Sequence, residues 1–244
     1  MEAEDFIYGT RAVMEAIQNG KNIDKVLIKT GLKNDLVHEL INLMKEKEIA
    51  FQFVPIEKIN RVTRKNHQGV LAFITPIEYT DIEDVLPMVY EKGKEPLILV
   101  LDQITDVRNF GAITRSAECA GVDAIIIPEK GMARIGADAV KTSAGALHLI
   151  PVCKVKSLTR TLRFLKNSGI AVIAATEKTD KIYTGGNFKR PVAIVMGSED
   201  TGISEQVLQL ADEQLKIPLL GKIGSLNVSV SAALMIYEAV RQRS

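Results

Sequence analysis

The sequence predicts an α/β protein in two parts, with its main parallel-sheet domain over 96–244. Three observations carry this. After Pro96, six short apolar runs alternate with helical stretches, the layout of a sheet covered on both faces. Residues 1–75 repeat the alternation on a smaller scale. Between them, residues 76–95 carry 2 Lys/Arg against 6 Asp/Glu and are broken by Pro76, Pro87 and Gly93, which reads as a linker.

In the first part, Ala12, Val13, Ala16 and Ile17 form a short helical face ended by Asn19 and Gly20. Strands are expected at 25–29, 51–54 and 70–75, with an amphipathic helix from Leu36 to Glu48 and a short one over 56–63. Arg61, Arg64, Lys65 and His67 gather just before the last strand. They read either as a solvated loop or as a patch that contacts phosphates. In the linker, Ile82 to Tyr90 has room for one or two helical turns.

In the second part the runs are 97–101, 124–127, 148–152, 171–175, 192–196 and 215–219. Helices are expected near 110–120, 136–144, 157–167, 204–211 and 226–243. Ligands of such folds gather beyond the C-terminal ends of the strands, and three loops there stand out. Asn109 is placed to cap a helix, Gly111 permits close approach, and Arg115 follows six residues after Asn109. In Gly197-Ser-Glu-Asp-Thr-Gly202 a strand runs into glycine, where Gly197 would let a flat ligand approach. Glu199 there is an orienting anion or a helix-start residue. The third loop, 217–229, turns through Gly221 and Gly224. It then enters a long helix with Ser225 as the expected N-cap. Ser225, Asn227 and Ser229 either cap that helix or hold a ligand at its exposed N–H groups.

Composition narrows the classes. Over 244 residues, 46% are hydrophobic and 25% charged, as in a folded globular chain. Net charge is +1, so no global basic field marks a nucleic-acid partner, although residues 96–244 carry 18 Lys/Arg against 14 Asp/Glu. Two cysteines without paired spacing and three scattered histidines point to a reducing compartment and to no metal site. The acidic start lacks a signal-peptide pattern, and no apolar run approaches a bilayer span, so a cytoplasmic protein is expected. There is no dinucleotide fingerprint, Walker loop or nucleophile elbow.

Taken together, Asn109 with Arg115, Gly197-Ser-Glu199 with Gly202, and Ser225-Leu-Asn227-Val-Ser229 resemble the three motifs of the SpoU (TrmH) family of RNA ribose methyltransferases, in that family's order. Ile7-Tyr-Gly9 with Ala12-Val13, and His67-Gln-Gly69, resemble the substrate-binding domain of a branch that methylates a guanosine 2′-hydroxyl in 23S ribosomal RNA. Arg11 stands where that resemblance calls for another residue.

The resemblance implies a trefoil-knotted catalytic domain, an L30e-like RNA-binding first domain and a homodimer joined near the knot and final helix. S-adenosyl-methionine would be held by Gly197, Ile217 and Leu226. Asn109, Arg115, Glu199, Ser225 and Asn227 would form the catalytic group, with no metal. A tRNA ribose methyltransferase of the same family and a non-catalytic RNA-binding relative are the rival readings.

Overall fold

The computed structural model describes residues 6–244, and the chain divides into two compact units, 1–78 and 79–244. The acidic start at 1–5 lies outside the described residues.

The first unit is a four-stranded mixed sheet with helices. Its strands are β1 (Phe6–Tyr8), β2 (Ile23–Lys29), β3 (Phe51–Val54) and β4 (Val70–Ile74), in the order β1-β4-β2-β3. Only β4 runs antiparallel to the rest. Helix α1 (Thr10–Gln18) and helix α2 (Asp35–Glu46) bury Val13, Ile17, Val37, Leu40 and Met44 with Val26, Ile28, Val70 and Ala72 of the sheet. The opposite face holds a smaller cluster of Leu27, Val54, Leu71 and Ile59, the last on the short α3 (Ile56–Asn60). The sequence predicts three strands here. The fourth, β1, has three residues, too few to show an alternation.

The stretch expected as a linker is largely structured. Ile82–Glu91 forms helix α4, whose Ile82, Val85, Leu86 and Val89 sit in the second unit's core. Glu83 and Asp84 in its first turn suit the positive helix end. The one or two helical turns expected over Ile82 to Tyr90 are thus a ten-residue helix, although Pro87 lies inside it and removes one backbone donor.

The second unit is a six-stranded, all-parallel sheet. Its strands are β5 (Leu97–Leu101), β6 (Ala124–Pro128), β7 (Val152–Val155), β8 (Ala171–Ala175), β9 (Val192–Met196) and β10 (Glu213–Leu215). Their spatial order is β10-β8-β9-β5-β6-β7. Alternate residues face opposite sides. Ile98, Val100, Ile126, Val172 and Val195 pack with α4, α7 (Leu158–Asn167) and α8 (Glu205–Leu208). The other face is covered by α5 (Val107–Cys119), which packs against both α6 (Ala137–Thr142) and α9 (Val228–Arg243). A Cβ on Gly111 would lie 2.7 Å from Thr142 Cβ, so this glycine sets how closely α5 and α6 approach.

Two predicted strands are displaced. The run 148–152 ends a 3-10 turn, and β7 begins only at Val152. The run 215–219 leaves the sheet after Leu215, and β10 begins earlier on polar Glu213 and Gln214. Strand order reverses at β5, which has β6 on one side and β9 on the other. The crevice at such a point is where open parallel sheets place ligands. No helix among the described residues is long and apolar enough to cross a membrane.

Candidate active site

The loops leaving β5 and β9 and the segment entering α9 converge. At the start of α5, Asp106 is the N-cap, its carboxylate accepting from Arg108 N at 2.6 Å and Asn109 N at 3.0 Å. The sequence gives this role to Asn109. With Asp106 in it, Asn109 sits in the first turn and its amide reaches outward. At the start of α9, Asn227 is the N-cap, not Ser225, and its Oδ1 accepts from Ser229 N at 3.0 Å.

Glu199 joins the two helix starts. Its Oε1 accepts from Asn109 Nδ2 at 3.1 Å, from Asn227 Nδ2 at 2.7 Å and from Val228 N at 2.9 Å. Asn227 Nδ2 also donates to Asn109 Oδ1 at 2.9 Å. The Ser229 hydroxyl makes a short hydrogen bond to Asn227 Oδ1. Every polar atom of the two amides thus has a partner, which fixes which way each amide points.

The loop that carries Glu199 is closed on itself. Ser198 and Gly202 exchange backbone hydrogen bonds, Gly202 has φ +68, and Ser204 N donates to buried Asp102 at the end of β5 at 2.8 Å. A Cβ on Gly197 would lie 2.2 Å from the Gly202 carbonyl carbon and from Ile203 N. The sequence expectation that Gly197 serves ligand approach is therefore incomplete: the returning backbone itself requires glycine.

Beside this cluster lies a cavity of about 350 Å³ between the ends of β8, β9 and β10 and the segment before α9. Gly197, Glu199, Ile217, Ser225 and Leu226 all line it. From Ile217 to Leu226 no backbone–backbone hydrogen bond is made among the described residues, so these N–H and C=O groups are available to a ligand. Met196, Ile217 and Leu226 supply apolar wall, and Thr176, Glu177 and Ser231 supply polar groups. A size of a few hundred Å³, apolar walls and a few convergent polar atoms suit a nucleoside-sized group.

Thr176 and Glu177 were not singled out from the sequence; the signal was their place just after a parallel strand. Ser225 lines the cavity but has no bond to the Asn109–Glu199–Asn227 cluster. Arg115 reaches neither. Six residues of helix carry it about 9 Å along the axis from Asn109 and onto a different side, and it is exposed.

Family comparison decides what this arrangement belongs to. Residues 96–237 match the model of the SpoU rRNA Methylase family, and residues 6–80 match that of RNA 2'-O ribose methyltransferase substrate binding.

The chain belongs to the SpoU rRNA methylase family.

It is an RNA 2′-O-ribose methyltransferase by family, with a substrate-binding unit ahead of the SpoU unit. A Staphylococcus saprophyticus protein, assigned by name to the TrmH family of tRNA/rRNA methyltransferases, is 36% identical over 241 residues, covering 99% of this chain and 97% of the relative. The SpoU methyltransferase AviRb from Streptomyces viridochromogenes, solved in complex with AdoMet, is 23% identical with a TM-score of 0.62. That alignment covers 98% of this chain and 90% of AviRb. The A. aeolicus TrmH/SpoU tRNA modifying enzyme is 29% identical with a TM-score of 0.57, in an alignment that covers 62% of this chain and 76% of that one. The SpoU motifs named from the sequence fall after β5, after β9 and at the start of α9.

Proposed function

We propose that this chain transfers a methyl group from S-adenosyl-methionine to a guanosine ribose 2′-hydroxyl of 23S ribosomal RNA, acting as a cytoplasmic homodimer. The observation that carries the reading is the Glu199 carboxylate, which fixes Asn109 and Asn227 and itself lines the cavity with Gly197, Ile217 and Leu226.

Bound there, S-adenosyl-methionine supplies an electrophilic methyl on a positively charged sulfur. The chain's own work is to hold and orient. Gly197, Ile217 and Leu226 grip the cofactor, largely through backbone groups. Asn109, Asn227 and Ser225 fix the ribose by hydrogen bonds, and Glu199 keeps the two amides in place. Correct alignment of two reactants contributes up to roughly 7–11 kcal/mol. An arginine side chain offers only donors and a positive charge, so the role suited to Arg115 is to grip a neighbouring phosphate and stabilise negative charge growing on the 2′-oxygen.

Arg115 lies outside the cavity within one chain, which favours a site completed by a second copy. Exposed Val230 and Tyr237, seven residues apart on α9, offer an apolar stripe for such a contact. The trefoil crossing and the L30e-like first unit implied by the sequence resemblance belong to the same reading. The first unit supports ribosomal over transfer RNA: the alignment with the tRNA-modifying enzyme covers 62% of this chain, whereas the substrate-binding model matches residues 6–80.

Mapping ribose methylation in a strain lacking this protein tests the proposal. One 23S guanosine should lose its mark and regain it on complementation. Intact 23S marks with a lost tRNA mark would transfer the enzyme to the tRNA reading.

A further inference from the structure

The charge of the first unit is arranged by its topology. Strands β1, β2 and β3 run one way and β4 the other, so the loops 9–11, 29–35 and 55–69 meet at one end of the sheet. Hydrogen bonds tie them together: Gly9 N donates to Val70 O at 2.9 Å, Lys29 N to Gly69 O at 2.7 Å, and Thr30 N to Val54 O at 2.8 Å. Residues 1–75 hold 11 Lys/Arg and 10 Asp/Glu in all, and these three loops hold seven of the former against two of the latter. Over the described residues 6–75, the rest of the unit holds four Lys/Arg against five Asp/Glu, so the net positive charge lies at this one end.

The long loop at that end is held in shape. His67 is buried; its Nδ1 accepts from Gly69 N at 3.0 Å, so Nε2 carries the proton donated to Asn60 Oδ1 at 2.8 Å. Gln68 and Gly69 both take positive φ, 52° and 81°. A Cβ on Gly69 would meet Leu32 Cδ2 at 3.0 Å and Lys29 Cβ at 3.1 Å, so the loop lies tight on the one after β2. Lys65 Nζ sits 5.7 Å from the Tyr8 ring centroid, joining the loop to the end of β1. On this frame Arg11, Lys29, Arg61 and Arg64 are exposed and make no ion pair among the described residues. Arg11 also stands in the first turn of α1, where a cation meets the positive helix end and no acidic residue offsets it. Seven cations against two carboxylates, with these four in no ion pair among the described residues, suit an external polyanion.

We propose that this end of the first unit is the surface that grips the RNA phosphate backbone, with Arg11, Lys29, Arg61 and Arg64 as the phosphate contacts. The surface positions RNA and does not read its sequence: the groups on offer are cations, with Tyr8 already engaged by Lys65. This rests on the RNA-methyltransferase reading of the chain, and it puts the substrate hold on residues that the motifs of the second unit do not include.

The test uses the full-length protein, a 23S ribosomal RNA transcript and a tRNA transcript, with affinity measured over a series of salt concentrations. Each lost phosphate contact lowers the slope of log affinity against log salt by about 0.7–0.9. Arg61→Gln with Arg64→Gln should flatten the slope by about 1.4–1.8 and weaken binding about 10- to 100-fold near physiological salt, on any RNA that the wild type binds. Lys45→Gln with Lys47→Gln, at the other end of the unit, should leave the slope unchanged. An unchanged melting midpoint shows that the Arg variant is folded. Wild-type RNA binding with the slope unaltered in the Arg61/Arg64 variant overturns this surface alone. Wild-type protein that binds and methylates neither RNA overturns the surface together with the functional reading beneath it.

Discussion

Asn227 Nδ2 donates to Glu199 Oε1 at 2.7 Å, across 28 residues of chain. The same oxygen accepts from Asn109, 90 residues away in the other direction. One carboxylate therefore sets the start of α9 against the start of α5, and the rim of the cavity is built from that junction.

Removing the carboxylate should cost more function than stability. In Glu199→Ala, Asn109, Asn227 and Val228 N lose their shared acceptor. Water replaces it at the exposed amides, so unfolding stability should fall by about 1 kcal/mol, the scale of a lost helix cap. Methyl transfer should fall about 10²-fold, because misplaced groups lose alignment. Denaturant titration and single-turnover assays read the two effects separately.

Gly197→Ala should behave differently. The added methyl group meets backbone at Gly202 and Ile203, which cannot swing aside as a side chain would. Stability should fall by about 1–3 kcal/mol, as for overpacked sites. S-adenosyl-methionine affinity should drop at least about 10-fold by calorimetry, since the same loop lines the cavity. Glu199→Ala, by contrast, should keep most of its cofactor affinity.

Arg115→Ala should fold normally and retain cofactor affinity, because Arg115 is exposed and outside the cavity lining. Turnover should fall by at least about 10²-fold, the scale for removing one charge-stabilising donor. Normal turnover would remove Arg115 from the catalytic group.

The two cysteines should react on different schedules. Burial pushes the Cys153 thiol up to about 12, with nearby Asp81 adding to the shift, whereas Cys119 is exposed on α5. A thiol reacts as its thiolate, so a native-state alkylation at pH 8 should label Cys119 alone. Cys153 should label only on unfolding, as peptide mass analysis would record.

The sequence displays the motifs of this site better than it displays their supports. Strands β8 and β9 are legible because Val172 to Ala174 and Val192 to Met196 are fully apolar, as strands covered on both faces must be. Strand β10 is misread because its first residues, Glu213 and Gln214, are polar edge positions, while apolar Leu219 and Leu220 lie in the loop and are exposed. Asn109 and Ser225 look like caps because both residue types favour that position, but Asp106 and Asn227 occupy it. Local propensity cannot choose between neighbouring candidates; the Glu199 contact, formed only in the folded chain, makes the choice. Asp102 gives no local signal, since its partner Ser204 is 102 residues away.

The most direct measurement is nucleoside analysis of RNA after incubation with the purified protein and isotopically labelled S-adenosyl-methionine. The account predicts label in 2′-O-methylguanosine from 23S ribosomal RNA, reduced by at least about 10²-fold with Arg115→Ala. Label in a base-methylated nucleoside, or none transferred to either ribosomal or transfer RNA, would contradict it.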